Sequence, residues 1–152
     1  MDLPPEFAWA AVVPELLVTD LAASLRFWCG LCGFQVAYER PEEGFAYLDR
    51  AGRQVMLEEV AATGRRWITG ELARPFGRGM NLQIDVATIE AIVAQLRLAG
   101  WPLYLEPEER WYRVGNGEVG VHQFVVQDPD GYLIRFSQRL GIRAADGGRD
   151  RD

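Results

Sequence analysis

Lysine is absent from this 152-residue chain, and all sixteen basic residues are arginine. That excludes Schiff-base chemistry on a side chain and phosphate binding by a Walker-type lysine. Histidine occurs once, at His122. Sites built on two or three imidazoles therefore cannot be assembled from one copy, which removes the two-His-one-carboxylate iron site, the His-rich zinc sites and HExxH. No apolar run approaches the ~18–20 residues that span a bilayer. The start, Met1-Asp2-Leu3-Pro4-Pro5-Glu6, lacks the basic and apolar regions of a signal peptide, so a cytoplasmic location is expected.

Basic charge is also in deficit, with sixteen arginines against twenty-two acidic residues for a net charge of -6. Without a basic stripe, neither nucleic acid nor an anionic membrane surface is an expected partner. The 49% hydrophobic content is enough to bury a core without disulfide or metal staples. The two cysteines, in Trp28-Cys29-Gly30-Leu31-Cys32, come close to a thioredoxin signature but fall at the end of a predicted helix. The helix dipole there raises a thiol pKa rather than lowering it, and Cys32 reads as core.

The pattern predicts two halves of the same order. Residues 11–18 read as a strand, with Pro14 marking an edge or bulge. Thr19 or Asp20 caps a helix whose apolar face is Leu21, Leu25, Trp28 and Cys32, and Gly33 ends it. Short strands follow at Phe34–Glu39, Phe45–Asp49 and Gln54–Val60. Met80–Val86 opens the second half, and Ile89, Ile92, Val93 and Leu96 give a helical face that stops at Gly100. Strands near Leu103–Glu106, Val121–Gln127 and Tyr132–Ser137 complete it, the last two joined by the turn Asp128-Pro129-Asp130-Gly131. Each half thus reads β-α-β-β-β, an α+β fold. The organisation is an N-terminal arm (1–10), a first module (11–60), a linker (61–79), a second module (80–138) and a tail (139–152) too poor in apolar residues to fold. The linker and the stretch Glu106–Gly120 carry aromatics in segments expected to be loops.

Three segments together resemble the vicinal oxygen chelate superfamily, in its glyoxalase and bleomycin-resistance group. They are Val18-Thr19-Asp20-Leu21, Phe27-Trp28 through Gly33-Phe34, and Asp128-Pro129-Asp130-Gly131-Tyr132. The resemblance spans about residues 11–138 and implies two βαβββ modules forming a cup-shaped mixed sheet around a ligand. In many relatives the cup forms across a homodimer that pairs or exchanges modules. It also implies four metal-ligand positions, at Val13, Glu58, Met80 and Arg135, of which only Glu58 is a ligand type. The resemblance therefore points to the bleomycin-resistance branch, which binds its drug with no metal or other cofactor of its own and without catalysis. The alternatives are a metal-dependent lyase or isomerase of the glyoxalase type, using Glu58 and His122 with water, or a binder of another aromatic small molecule.

Glu58 and Arg135, at matching parity on the last strands of the two modules, are expected to pair across the cup as a polar floor. Glu59, of opposite parity, points away from that face. His122 is a further expected lining group. Trp67, Phe76, Tyr104, Trp111 and Tyr112 are expected ligand contacts, since aromatic faces stack on planar and cationic groups. The same rings serve equally well in satellite cores or in a dimer interface.

Overall fold

The structure, a computed structural model, describes residues 2–62 and 66–145. The first module runs β1 (Glu15–Val18), α1 (Leu21–Leu25), β2 (Gln35–Arg40), β3 (Phe45–Arg50) and β4 (Arg53–Glu59). The second runs β5 (Asn81–Asp85), α2 (Glu90–Leu98), β6 (Leu103–Val114), β7 (Gly117–Gln127) and β8 (Leu133–Ala144). Each makes a four-stranded mixed sheet, ordered β1-β4-β3-β2 and β5-β8-β7-β6. The outer strand β1 or β5 is parallel to its neighbour, and the other pairs are antiparallel. The α+β reading and the two-module order hold.

Asp20 caps α1, its carboxylate accepting from Ala23 N at 3.0 Å. The helix then widens into a π-helical turn over Arg26–Leu31. Within this turn the adjacent Phe27 (1% exposed) and Trp28 (0%) are both buried. Gly33, at φ +76°, and Gly100, at φ +65°, terminate the helical segments in the left-handed region that favours glycine.

One apolar core joins the modules on their helix sides. Leu16, Val18, Leu48 and Leu57 of the first module share it with Ile84, Ile92, Phe124 and Phe136 of the second. Fully burying each such side chain contributes about 1.5–3 kcal/mol. Phe76 of the connecting segment enters the same core against Tyr132, ring centroids 5.9 Å apart.

The Asp128–Tyr132 turn is the most heavily bonded junction between the modules. Asp128 Oδ1 accepts from Asp130 N (3.0 Å) and Tyr132 N (2.9 Å), which sets the turn. Asp130, 1% exposed, then accepts from Thr19 N (3.1 Å), Thr19 Oγ1 (2.6 Å) and Arg74 Nη2 (3.0 Å). Tyr132 donates its hydroxyl to Leu17 O at 2.9 Å. Gly131 is required here because φ is +98° and a Cβ would stand 2.5 Å from Pro75 Cβ.

Two segments differ from the sequence-based expectation. Residues 106–120 are not a loop: β6 and β7 form a hairpin of twelve and eleven residues. The ribbon is polar on both sides, and its register shifts between Leu103 and Glu108, so no clean alternation marks it. Residues 139–144 of the expected tail are the end of β8, paired with β7 from Val121 to Gly117. Backbone pairing holds them, helped by Arg143 bonded to Glu118 (2.6 Å) and stacked on Trp111 (4.1 Å). Residues 146–152, the rest of that tail, lie outside the described residues, as do linker residues 63–65.

Replacing Asp130 by Ala removes three bonds to a buried carboxylate and is expected to cost about 2–3 kcal/mol. Thermal unfolding should show this as a fall of about 5–10 °C; a fall under a degree would show that the core alone joins the modules. A second test concerns pH. Burial pushes the Asp128 carboxyl up to about 6 from 3.8, against the backbone N–H groups of Tyr132 and Asp130 that pull it down. The native state therefore holds a proton that the unfolded chain has released, and the group's contribution to stability falls as pH rises from about 4 to about 6. Relative to the native chain, Asp128→Asn should gain about 2–3 kcal/mol across that window. Parallel stability curves for the two proteins would refute it.

Candidate functional site

In each sheet one face packs on the core and the other is open. Leu16, Val18, Val55 and Leu57 face inward, so Glu15, Met56 and Glu58 line the open face of the first module. Phe45, Tyr47 and Tyr38 extend that face across β3 and β2. The N-terminal arm occupies part of it. Trp9 packs edge-on to Tyr47 (5.5 Å) and Tyr38 (5.9 Å), while Phe7 meets Tyr47 at 5.9 Å. Gln54 anchors the arm, accepting from Ala10 N (2.9 Å) and donating to Ala8 O (2.7 Å).

The part that the arm leaves open is a recess of about 370 Å³ lined by Glu15, Tyr38, Arg40, Glu43, Phe45, Met56, Glu58 and Trp67. Glu58 lies on its floor, 8% exposed, and accepts from Arg66 Nη1 at 2.7 Å. Arg66 is fixed in turn by the carbonyl oxygens of Glu59 (2.7 Å) and Ala62 (3.2 Å). Glu15 shares a hydrogen bond with Glu58; that bond, burial and the Glu58 charge push its carboxyl up to about 7, while Arg66 and Arg40 pull it down. The recess thus joins the Glu15 and Glu58 carboxyl groups to the rings of Tyr38, Phe45 and Trp67. Arg40 lies over the Phe45 ring at 3.9 Å and pairs with Glu43 at 2.6 Å. The recess therefore already holds one cation on an aromatic face and presents the Glu15 carboxyl and the Trp67 indole beside it. Glu59 leaves this face as expected, its carboxylate accepting from Leu21 N at the start of α1 (2.8 Å).

The second module has its own recess, about 300 Å³, lined by Gln83, Asp85, Tyr112, Val114, Val119, Val121, Gln123, Arg135, Ser137 and Arg139. Arg135 and Tyr112 both belong to it. The other expected contacts do not line either recess. Phe76 is core, at 7% exposed, because the chain turns inward at Pro75 to meet Tyr132. Trp111 points to the other side of the ribbon from Tyr112; its indole lies over Gly120, where a Cβ would come within 2.6 Å of the ring, and donates to Glu109 at 2.9 Å. Tyr104 projects from β6, 66% exposed. His122 shares the parity of Phe124 and faces the helix side, its Nδ1 3.9 Å from Glu90 Oε1 on α2. Cys32 is fully buried, and burial pushes both thiols up, as expected of core cysteines.

The expected Glu58–Arg135 ion pair does not form within the chain, since Glu58 pairs with Arg66 and Arg135 opens into the other recess. Nor are the two residues equivalent. The buried pairs that lead toward each helix, Leu16/Val18 and Ile84/Val86, align the modules. Glu15 beside Met56 then corresponds to Gln83 beside Arg135, and Leu17 beside Glu58 to Asp85 beside Ser137. Glu58 sits one strand pair further along than Arg135. Val13, one of the proposed metal positions, packs on the open-face cluster that includes Phe45 and Tyr47, and Glu15 and Gln83 lie on the open faces of their own sheets. A carboxyl pair on one module with an amide and a guanidinium on the other is not a donor set for one cation. The alternative pair, Glu58 with His122, lies on different modules and opposite faces. Among the described residues no three His, Cys, Asp or Glu side chains cluster as metal ligands. No described helix is long and apolar enough to cross a membrane.

The N-terminal arm and Glu15 are the contributors that sequence reasoning missed. A clue to Glu15 was available in the alternation Glu15-Leu16-Leu17-Val18, which sets Glu15 opposite in parity to the buried Leu16.

Two solved structures with TM-scores above 0.6 agree with this architecture. A glyoxalase/bleomycin resistance protein/dioxygenase superfamily member from Vibrio splendidus 12B01 is 38% identical, over 83% of this chain and 95% of that one, with a TM-score of 0.38. TioX from Micromonospora sp. ML1 is 20% identical with a TM-score of 0.64, over 87% of this chain and 100% of that one. A virulence protein from Salmonella typhimurium is 21% identical with a TM-score of 0.62, over 88% and 99%. The last two likenesses concern the fold alone. No curated protein matches the chain. The profile of the Glyoxalase/Bleomycin resistance protein/Dioxygenase superfamily matches residues 8–136, and the chain belongs to that superfamily.

Proposed function

We propose that this protein binds a bulky, planar, cationic small molecule of the bleomycin type and holds it unchanged, so that sequestration is its activity. The observation that carries this reading is the first-module recess, where the Glu15–Glu58 carboxyl pair lies beneath Tyr38, Phe45 and Trp67. An ammonium or guanidinium tail would take the place of the Glu15 proton, and a planar ring system would lie against the indole of Trp67, 70% exposed. A recess of about 370 Å³ takes one end of such a ligand rather than the whole. The rest would be covered by a second copy, because the two open faces of one chain line separate recesses. A homodimer that sets the first module of one copy against the second module of its partner would close both. Among the described residues no three metal-ligating side chains cluster, which favours binding over a metal-dependent lyase or isomerase reaction.

The test is a titration of the full chain with bleomycin, metal-free and copper-loaded, followed by heat and tryptophan fluorescence, with the drug recovered and checked by mass. Saturable binding, one or two drugs per dimer and unchanged drug are expected. Trp67→Ala should weaken binding about tenfold. A cation competes with the proton that Glu15 holds, so affinity should rise between pH 6 and 8 and level off above the Glu15 value of about 7. Glu15→Gln should flatten that rise. The facing groups Glu58, Glu43, Arg40, Arg66 and Tyr38 remain in the variant, so a pH slope that persists would assign the proton to one of them. No saturation at high micromolar drug, or a chemically altered drug, would overturn the proposal.

A further inference from the structure

The second open face carries the opposite chemistry. Arg135 stands on β8 between Gln83 of β5 and Val125 of β7, in the interior of its sheet. Ile134 and Phe136 on either side are core, so Arg135 faces the recess. Three other arginines of this module have carboxylate partners: Arg139 with Asp85 (3.2 Å), Arg143 with Glu118 (2.6 Å) and Arg97 with Glu106 (2.6 Å). Arg135 has none among the described residues, and its Nε is buried without a hydrogen-bond acceptor. A half-buried guanidinium with an unanswered N–H is costly in a folded protein, so the recess in front of it is a place for water or for a ligand acceptor. The acidic groups nearby are already engaged. Asp85 accepts from Gln83 (3.2 Å) as well as from Arg139 (3.2 Å), and Glu108 accepts from Gln123 (3.1 Å).

A second donor points into the same space. Gln123, 3% exposed, donates through Nε2 to the Tyr112 hydroxyl at 2.7 Å, which leaves the phenolic proton for an acceptor in the recess. Beside these polar groups lie Val114, Val119 and Val121. We propose that this recess binds the carboxylate of a small apolar acid, with Arg135 holding the anion, Tyr112 donating a further hydrogen bond and the valines contacting the hydrocarbon body. A monoanion suits the site better than a phosphate dianion, because Asp85 and Glu108 add negative potential at its edge. The site lies on a different sheet from the drug recess, and although the proposed dimer would bring the two together, benzoate binding is read on the chain without drug and so tests this site by itself.

Benzoate is a suitable probe, with benzamide as its neutral shape match and inorganic phosphate as the competing oxyanion. Titrations of the full chain, followed by amide and arginine Nε resonances, should show saturable benzoate binding with shifts confined to Arg135, Tyr112, Gln123 and Gln83. Benzamide should bind at least tenfold more weakly, and phosphate should not displace benzoate at equal concentration. Arg135→Gln should lose at least tenfold in benzoate affinity, Arg135→Lys should recover part of it, and Tyr112→Phe should lose a few-fold. Arg135 has no carboxylate partner among the described residues, so an unchanged melting temperature should accompany the loss. Equal binding of benzoate and benzamide, an unaffected Arg135→Gln variant, or phosphate binding as strong as benzoate would each overturn the proposal. The comparison of probes on the native chain decides the matter even where a variant fails to fold.

Discussion

The buried carboxylate of Asp130 is the constraint on which the arrangement depends. It belongs to the last turn of the second module, yet its partners are the residue before the first helix cap, Thr19, and an arginine of the connecting segment, Arg74. A charge at 1% exposure is tolerated only when it is fully hydrogen-bonded, and three donors from two other segments meet that condition. Because the bonds are directional, they fix the end of β1 against the end of β7, which the shared apolar core alone would not do. The Tyr132 hydroxyl on Leu17 O and the approach of Pro75 over Gly131 follow from the same docking.

Joining the modules on their helix sides leaves both sheets with a free face, and the chain treats the two faces differently. The first is partly covered by its own N-terminal arm, which places Trp9 and Phe7 on the tyrosines of β2 and β3 and leaves the Glu15–Glu58 end open. The second keeps its guanidinium unanswered. An acidic, aromatic recess and a basic, valine-lined one therefore coexist in a chain whose net charge of -6 would suggest only the former.

Much of the fold was legible because its signals are local. Asp20 before an apolar stripe, glycines at the two helix ends and the Asp-Pro-Asp-Gly turn each require one conformation, and each appears where the pattern put it. The ribbon formed by β6, β7 and the end of β8 was not legible. Its strands are solvated on both sides, so polar residues such as Glu108, Glu109 and Arg110 carry no alternation to read. The candidate site was legible in part. Glu58, Trp67, Arg135 and Tyr112 line recesses, whereas Phe76, Trp111 and His122 face core, ribbon and helix. Strand parity separates Tyr112 from Trp111, but only once the segment is known to be a strand. What Glu58 pairs with could not be read at all, since Arg66 reaches it from the connecting segment.

The count from turn glycine to charged residue carries the deeper lesson. Glu58 lies six residues after Gly52 and Arg135 four after Gly131, a difference of two that preserves the face and changes the neighbour. Equal parity made the two residues look like partners across one site. The register makes them members of different strand pairs, with Met56 opposite in rank to Arg135 and Ser137 to Glu58. A duplicated fold need not keep a duplicated chemistry. Each module sets its charge at its own level of the sheet, and neither reproduces the paired donors that a shared cation would require. What the duplication retains is a rigid open sheet backed by core, on which one module evolved an acid pair and the other an isolated guanidinium. A ligand with a cationic and an anionic end would meet both only if two copies of the chain brought those sheets face to face.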